Sequence, residues 1–576
     1  MMVTRPSGLR ARKPNCIDRK DPLMAQERLQ PIEPKDAQRL VDAMAAVLDE
    51  AMAVARKRTD YGKAIDEEQV HCERLAYAAT ELQAARDLLQ YAEAARGQSP
   101  EASVYAEMAA VFAGEVAQKL TAAVDAHYTD FGVSPERWNE TLGNPETKRL
   151  LRAAVDDARV RAIGRHVIET RGANHSWLEN ELAAMTRDSV RQFAEAEVLP
   201  LAERIHRHDE LVPDDLIRKM AELGFFGMSV PEQYGGGGMG NLPMIITTEE
   251  LSRCSLAAAG SLITRPEILT KALLKGGTER QKQRWLPPIA RGEIMVAVSV
   301  TEPDTGSDVA SIKCRATEAE VAGQKGYVID GAKAWCTFAG RANVLALLAR
   351  TDPDPKKAAR GLSLFIVPKD PFYGHSFEMR QPTGGVLTGK ADSTPGYRGM
   401  HSFTLNFERY FVPAENLVGE EGQKNKGFYL QMAGFAAGRL QTGGRATGLA
   451  QAALERTAEY ANDRKQFGQP IGQFQLTQYK LGRMATHIMA ARQLTYAAAL
   501  AMDRDESVSL EPAMAKLFAS DVAVWVTQEG QLLHGGWGYA EEFPISRYVV
   551  DATVLPIFEG VKPILELKVI ARQLLA

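Results

Sequence analysis

The 576-residue sequence contains no uninterrupted apolar run of 18 residues, the length at which a stretch becomes a candidate membrane span. It also lacks an excess of either charge, because 69 Lys and Arg stand against 73 Asp and Glu. A nearly neutral protein has no overall field for nucleic acid or for an anionic membrane. We therefore expect a protein that binds neither of them and recognises its partners at a local site.

Cysteine is scarce as well. The five cysteines are scattered, odd in number and without the spacing of a metal site. This usage is typical of a reducing compartment without structural disulfides. We expect a cytoplasmic protein with no metal site.

The first 24 residues are basic. Pro6, Gly8 and Pro14 would break an amphipathic helix, which argues against a mitochondrial transit peptide. We expect residues 1–30 to be a disordered tail, or translation to begin at Met24.

Hydrophobic periodicity divides the rest of the chain and predicts an α+β fold. Apolar residues recur at three- or four-residue steps in residues 31–172, 176–292 and 413–576, which predicts three helical domains. Alternating β-branched segments in residues 293–412 predict an antiparallel β domain between the second and third of these. The predicted strands are Met295–Val300, Tyr327–Asp330, Val344–Leu348, Leu362–Val367 and Ser402–Phe407.

The N-terminal helical domain resembles part of the C-terminal one. Residues 58–132, shifted by 406 positions, align without a gap with residues 464–538, and 22 of the 75 aligned residues are identical. Alanine-rich helices produce chance matches, but the identities include Arg58 with Arg464 and Phe112 with Phe518. We interpret residues 31–172 as a degenerate repeat of the C-terminal domain.

The segment Gly235–Gly240 matches the pattern G-x-G-x-x-G of dinucleotide-binding proteins. It follows no predicted strand, and Asn241-Leu-Pro243 comes next, so we expect no helix N-terminus that could face a phosphate. We interpret this segment as a loop between helices.

Two other segments suit a flavin. Gly306 and Ser307, in the turn after the first predicted strand, allow close backbone approach and offer amide and hydroxyl donors. Taken alone, this could be an ordinary polar turn. Trp335 and Thr337, on a later strand, would add an aromatic wall and a hydroxyl beside the face and nitrogen edge of an isoalloxazine ring.

Five motifs, in this order and spacing, resemble the signatures of the acyl-CoA dehydrogenase family over about residues 177–576. The resemblance implies a helical domain, a β domain and a C-terminal four-helix bundle, preceded here by an extra N-terminal helical bundle. It also implies FAD held between two subunits, an acyl-CoA substrate and electron-transfer flavoprotein as the electron acceptor. The motifs are Val300–Asp308, Ala334–Thr337, Asp463–Gly468, His534–Tyr539 and Ile557–Gly560.

The resemblance assigns FAD contacts to two groups of residues. Contacts within one subunit fall on Val298, Ser299, Val300, Thr301, Gly306, Ser307, Trp335, Cys336 and Thr337. Contacts with the FAD of the neighbouring subunit fall on Arg464, Gln466, Phe467, Gln475, Leu532, Gly535 and Gly536. Val561 is a further FAD contact, although it and Leu532 replace the usual Thr and Gln of the family. Ser307, Arg439 and Gly560 are assigned to the substrate.

Glu559 is the expected catalytic base. It follows an apolar run, where partial desolvation would raise the basicity of a carboxylate. The family places its base at this position or, in the isovaleryl-type branch, on an earlier helix, where Gly438 stands here. The resemblance implies that Glu559 takes the α-proton while the flavin accepts the β-hydride. It also assigns polarisation of the thioester carbonyl to the Glu559 backbone N–H and an FAD hydroxyl.

A narrower resemblance is to the (2S)-methylsuccinyl-CoA dehydrogenases, bacterial enzymes of the ethylmalonyl-CoA pathway that form mesaconyl-CoA. It rests on the N-terminal block and on the segments Pro395–Ser402 and Gly438–Gly444. A free carboxylate in the acyl pocket would need a cationic partner. Arg265 stands where relatives line the acyl cavity with an uncharged residue, although it could instead be a surface arginine that caps a helix.

Other functions remain open from the sequence. A short branched-chain acyl-CoA dehydrogenase or an acyl-CoA oxidase would use the same base and flavin. A DNA-associated flavoprotein of this fold should carry a basic C-terminal face, whereas acidic and basic residues alternate here. A flavin monooxygenase of this fold normally lacks the glutamate.

The repeat also predicts the assembly. Ala153 stands where the 406-residue offset places Glu559, and Asp130 stands in place of Gly536. We therefore expect one FAD per chain and a structural role for the copy, which would cover the face that joins two dimers in tetrameric relatives. The expected state is a homodimer.

Overall fold

The computed structural model describes residues 32–505 and 507–576. The tail expected at residues 1–30 lies outside the described residues. Within them, no helix is both long enough and apolar enough to cross a membrane.

The N-terminal block is helical, and its first three helices bury an alanine-rich apolar face. Alanine loses no side-chain conformational entropy when a helix forms, and its small side chain lets helices approach closely. Four shorter helices close the block, and Ser134, Asn144 and Asp156 cap three of them with side-chain hydrogen bonds. The helices are α1 (Pro34–Arg58), α2 (Gln69–Ala94), α3 (Ala102–Ala126), α4 (Tyr128–Phe131), α5 (Pro135–Glu140), α6 (Pro145–Ala154) and α7 (Asp157–Glu169).

A second set of helices follows: α8 (Glu181–Phe193), α9 (Leu199–Arg207), α10 (Asp214–Glu222), α11 (Asn241–Cys254), α12 (Thr264–Gly276) and α13 (Glu279–Ala290). Helix α11 is buried along nearly its whole length and lies against the later helix bundle.

The prediction that no helix begins after Gly235–Gly240 is wrong, because α11 begins at Asn241. Pro243 does not prevent this, since proline is tolerated in the first turn of a helix. The N–H groups at the start of the helix face a protein carboxylate: Asp503 accepts from the Asn241 N–H at 2.7 Å. This end of the helix is therefore occupied, and the segment is not a phosphate site.

The β domain is one eight-stranded sheet in which most neighbours are antiparallel. The exceptions to the predicted antiparallel pairing are β1 with β4 and a single pair between β2 and β4, which are parallel. The prediction missed β2, β6 and β7, which are short and partly exposed. The strands are β1 (Val296–Ser299), β2 (Arg315–Val321), β3 (Gln324–Thr337), β4 (Val344–Arg350), β5 (Leu362–Pro368), β6 (Ser376–Arg380), β7 (Val386–Ala391) and β8 (Ser402–Pro413).

Long helices return after the sheet, and α15, α16 and α17 form the core of the C-terminal bundle. A two-stranded hairpin separates α15 from α16. The elements are α14 (Glu420–Gln423), α15 (Gly427–Asp463), β9 (Lys465–Gln466), β10 (Gln469–Pro470), α16 (Gln475–Arg504), α17 (Leu510–His534), α18 (Ile545–Ala552), α19 (Lys562–Ile564) and α20 (Arg572–Leu575).

The N-terminal block lies directly on α16. A Cβ added to Gly164 of α7 would come within 1.7 Å of the Gln478 carbonyl oxygen, and one added to Gly482 of α16 within 2.1 Å of the Val160 carbonyl oxygen. Both glycines are needed because the two helix backbones touch at this point.

Contacts between the two helical blocks follow the 406-residue offset. Phe112 and its equivalent Phe518 meet edge to face, with ring centroids 5.6 Å apart. In a two-fold arrangement, a residue that touches its own equivalent lies near the axis. The aromatic pair therefore marks the centre of a pseudo-two-fold contact.

A pair of polar contacts obeys the same symmetry. Arg483 donates to Glu115 at 2.9 Å, and Tyr77 donates to Asp521 at 2.8 Å. Adding 406 turns Glu115 into Asp521 and Tyr77 into Arg483. The N-terminal block thus contacts the C-terminal bundle in the way one subunit contacts another in an isologous interface.

Candidate active site

Glu559 lies in the turn between α18 and α19. Its φ is 55° and that of Gly560 is 101°, so two consecutive residues have left-handed backbone. A non-glycine residue in this region costs on the order of 1–3 kcal/mol and persists only when its surroundings hold it. The turn therefore has a geometry that the rest of the protein imposes.

The carboxylate of Glu559 points at α15. A Cβ added to Gly438 would lie 3.0 Å from Glu559 Oε2. Oε2 is buried and has no hydrogen-bond partner among the residues that the structure describes. The two positions at which the family can carry a base thus meet in space, and the glycine leaves room for the glutamate.

Two basic side chains hold the turn through its carbonyl groups. Lys516, which is fully buried, donates through Nζ to the Gly560 carbonyl oxygen at 2.7 Å. Arg439 donates through Nε to the Glu559 carbonyl oxygen at 3.3 Å. Burial lowers the pKa of Lys516 to about 7, although the Glu559 carboxylate opposes this shift. Burial also lowers the pKa of Arg439.

The backbone N–H of Glu559 makes no hydrogen bond to another group within residues 32–505 and 507–576. It lies in the same turn as the unpartnered Oε2 atom. The turn therefore offers a proton acceptor and a hydrogen-bond donor together, which is what proton abstraction next to a carbonyl group requires.

Arg445 extends the positive charge around the carboxylate. Its side chain has no exposed surface, and its guanidinium lies 4.6 Å above the Phe558 ring. It donates to Thr442 at 2.7 Å and more weakly to Ser261 and to the Tyr397 hydroxyl, whereas its Nε has no partner among the described residues. Burial is the main cause of a lowered pKa of Arg445, and the charge of Arg265 lowers this pKa further, whereas Tyr397 and Glu559 oppose the shift.

Arg265, on α12, is 6% exposed, and its Nη1 atom is buried without a partner in the described part of the chain. The structure thus rejects the alternative of a surface arginine. Neither Arg265 nor Arg445 forms an ion pair with a carboxylate of the described residues. Because burying an unpaired charge is costly, this pair indicates that an anionic ligand belongs beside it.

The β domain presents the first group of predicted FAD contacts. Gly306 and Ser307 are exposed, and their N–H groups donate to no acceptor within the described residues. Trp335 is 59% exposed, with φ 58° at an irregularity between β3 and β8 that turns its indole outward. Thr337 is buried and shares a hydrogen bond with Ser402.

Other members of this group offer backbone rather than side chains. Ser299 and Cys336 are fully buried and contact each other, with Oγ and Sγ 3.2 Å apart. Val300 is buried, and its carbonyl oxygen accepts from Lys333. Val298 and Thr301 are half-buried beside them.

The second group of predicted FAD contacts lies on the surface of the C-terminal bundle. Phe467 is 95% exposed at the tip of the β9–β10 hairpin, and its φ of 52° holds the ring outward. The other members of the group are also exposed: Arg464, Gln466, Gln475, Leu532, Gly535 and Gly536. Val561 is half-buried next to Gly560. The exposed ring of Phe467 and the exposed glycine turn at Gly535 and Gly536 are suited to contact with a second molecule.

These features fit FAD. The exposed indole offers a stacking face for the isoalloxazine ring, and the free N–H groups of Gly306 and Ser307 offer donors to the cofactor's oxygens. Arg464 offers a cation for a pyrophosphate.

Sequence reasoning missed Arg445 and Lys516. A signal for Arg445 was present, because Gly438, Thr442 and Arg445 are spaced four and three apart and share one helix face. No comparable pattern points to Lys516, which is buried because α17 passes under the Glu559 turn.

Family models of known proteins match three parts of the chain. The acyl-CoA dehydrogenase N-terminal domain matches residues 180–293, and the middle domain matches residues 297–410. The acyl-CoA dehydrogenase C-terminal domain matches residues 425–575 and also residues 35–127.

Individual relatives extend the match. The chain is 38% identical to (2S)-methylsuccinyl-CoA dehydrogenase of Cereibacter sphaeroides, over 89% of this chain and 92% of that protein. The structure of butyryl-CoA dehydrogenase from Megasphaera elsdenii is 30% identical with a TM-score of 0.63, and the match covers 69% of this chain and all of that one. A chain from a structure of the electron-transferring flavoprotein of Acidaminococcus fermentans is 33% identical with a TM-score of 0.62, over 68% of this chain and 98% of that one.

The site geometry, the matched domains and the extent of these similarities lead to one conclusion. The chain belongs to the acyl-CoA dehydrogenase family and is an FAD-dependent oxidoreductase that acts on CH–CH groups of acyl-CoA thioesters.

Proposed function

We propose that this enzyme oxidises (2S)-methylsuccinyl-CoA to mesaconyl-CoA, with Glu559 as the base. The observation that carries the substrate class is the pair of buried guanidinium groups, Arg265 and Arg445, without a protein carboxylate beside them. The 38% identity to a (2S)-methylsuccinyl-CoA dehydrogenase supports the same substrate and its place in the ethylmalonyl-CoA pathway.

Glu559 abstracts the α-proton through Oε2. Its own backbone N–H donates to the thioester carbonyl oxygen and acidifies that proton. Lys516 and Arg439 keep the turn in place by donating to its two carbonyl groups. FAD, when bound, supplies the acceptor for the hydride from the β-carbon.

The free carboxylate of the substrate pairs with the arginines. Arg439, Arg445 and Lys516 lie close enough to the Glu559 carboxylate to interact with its charge, and Arg265 lies close enough to Arg445 to repel it. A monocarboxylic acyl chain would leave the excess charge unpaired, whereas a dicarboxylic one supplies the missing anion.

For the FAD contacts, we propose the same residues as those expected from the sequence. Val298–Thr301, Gly306, Ser307 and Trp335–Thr337 would hold FAD from within the subunit. The exposed group on the hairpin and at the end of α17 would reach the FAD of a second subunit, and Ser307 and Gly560 would also contact substrate. The likeness to a chain from an electron-transferring flavoprotein structure supports such a protein as the electron acceptor.

The N-terminal block takes the place of a second dimer, so that the enzyme is a cytoplasmic homodimer. The pseudo-two-fold contacts between the two blocks support this assembly. The copy's own cofactor position is closed, because Arg58, the equivalent of Arg464, pairs with Glu68 at 2.7 Å and lies 3.6 Å from Asp130. Two carboxylates there would repel a phosphate group.

Replacing the base tests the mechanism. Glu559→Gln removes the proton acceptor but keeps the size of the side chain, so the variant should retain FAD and lose roughly 100- to 10,000-fold in the rate of flavin reduction. Anaerobic stopped-flow absorbance measures this rate, with Glu541→Gln as an exposed control in the same domain. Flavin reduction at a wild-type rate in Glu559→Gln would remove the assignment.

Replacing Arg265 tests the substrate class. Arg265→Met keeps an apolar stem but leaves the substrate carboxylate unpaired, which should cost about 3–5 kcal/mol in kcat/KM for methylsuccinyl-CoA. The loss for 2-methylbutyryl-CoA, which lacks the carboxylate, should be much smaller. Arg291→Met, at an exposed helix end, serves as the control. Equal losses with both substrates would exclude Arg265 from this role.

Deleting residues 1–170 tests the assembly. The deletion uncovers the face of α16 around Phe518 and Arg483, so the product should aggregate or form tetramers. Full-length protein and a variant lacking only residues 1–31 should both be dimers with one FAD per chain by light scattering and flavin absorbance. A full-length tetramer, or two FAD per chain, contradicts the proposal.

A further inference from the structure

A cluster away from the Glu559 turn brings together Asp209, His375 and His401. They come from three distant segments: Asp209 follows α9, His375 precedes β6, and His401 precedes β8. His401 Nε2 lies 3.1 Å from His375 Nε2 and 3.1 Å from Asp209 Oδ1. The cluster therefore joins the helical domain to the β domain.

The two imidazole rings bring their Nε2 atoms together. Their centroids are 4.5 Å apart, their planes are inclined by 51°, and the Nε2 atoms are 3.1 Å apart. Two nitrogens at this distance are close enough for one ion to contact both.

The hydrogen bonding of the His401 ring is also incomplete. A neutral imidazole carries one N–H. If His401 carries it on Nε2, its buried Nδ1 has no hydrogen-bond partner among the described residues. If His401 carries it on Nδ1, the lone pair of Nε2 faces the carboxylate of Asp209. Either neutral form leaves the buried Nδ1 atom without a partner, and a charged ring would have Asp209 as its counter-ion at 3.1 Å.

We propose that Asp209, His375 and His401 bind a divalent transition-metal ion, of which Zn²⁺ suits the donors best. Donors held about 2.0–2.2 Å from tetrahedral zinc lie roughly 3.3–3.6 Å from one another. Two of the three pairs here, at 3.1 Å, are close to that spacing. His375 is exposed, so a water molecule can occupy the fourth position. This site departs from the expectation of no metal, which rested on cysteine spacing.

The ion would act as a structural clamp. The segment that ends at His401 contains Tyr397, whose hydroxyl meets Arg445 and whose ring packs edge to face on Phe558. Arg398 Nε, 3.7 Å from Asp209 Oδ1, already attaches this segment to the helical domain. A metal at Asp209 would fix the segment more rigidly, and with it the Tyr397 side chain against Phe558 and Arg445.

Metal content tests the proposal. Untagged, FAD-loaded, full-length protein is dialysed against micromolar Zn²⁺ and then against metal-free buffer, and zinc and FAD are measured by plasma mass spectrometry and absorbance. We expect one zinc per chain and a rise in Tm with added Zn²⁺. His375→Ala, His401→Ala and Asp209→Asn should each weaken zinc binding by roughly tenfold or more. His208→Ala, exposed next to Asp209, should not.

His375 is exposed, so His375→Ala should fold even if His401→Ala does not. Wild-type protein that retains no zinc after dialysis would overturn the proposal. So would equal zinc retention in wild type and His375→Ala, since the metal would then lie elsewhere.

Discussion

The left-handed turn at Glu559 and Gly560 is the constraint on which the site depends. It places an unpartnered carboxylate oxygen and an unpartnered N–H in one short segment. Lys516 and Arg439 hold the two carbonyl groups of the turn, and Gly438 leaves space for the carboxylate. Helices α15 and α17 thus impose a strained backbone on the turn. This conformation brings the proton acceptor, Oε2, and the hydrogen-bond donor, the N–H of Glu559, together.

The same arrangement gathers more positive than negative charge. Arg265 and Arg445 come from different helices, and they lie close enough to repel each other because α12 packs on α15. Burying two guanidinium groups without a carboxylate costs free energy in the unliganded enzyme. In our account the substrate removes this cost, so that part of its binding free energy comes from relieving an unfavourable charge distribution. Selectivity for a dicarboxylic thioester follows from the same physics.

Much of the fold could be predicted from the sequence, because the hydrophobic periodicity of long helices is easy to recognise. The Glu559 position could be predicted because its motif is one short segment. The failures have different causes. The α11 start at Asn241 was missed since Pro243 was taken as a breaker, although a first turn accepts it. The spacing of Arg445 from Gly438 places it on the same helix face, but its burial without a carboxylate partner depends on packing between domains. His375 and His401 were missed because their partner lies far away in the sequence.

The most direct test is an anaerobic titration of the wild-type, FAD-loaded enzyme with acyl-CoA thioesters of matched length, followed by bleaching of the flavin absorbance. If buried positive charge selects the substrate, (2S)-methylsuccinyl-CoA will bleach the flavin at a far lower concentration than 2-methylbutyryl-CoA. Bleaching by 2-methylbutyryl-CoA at an equal or lower concentration would contradict the account.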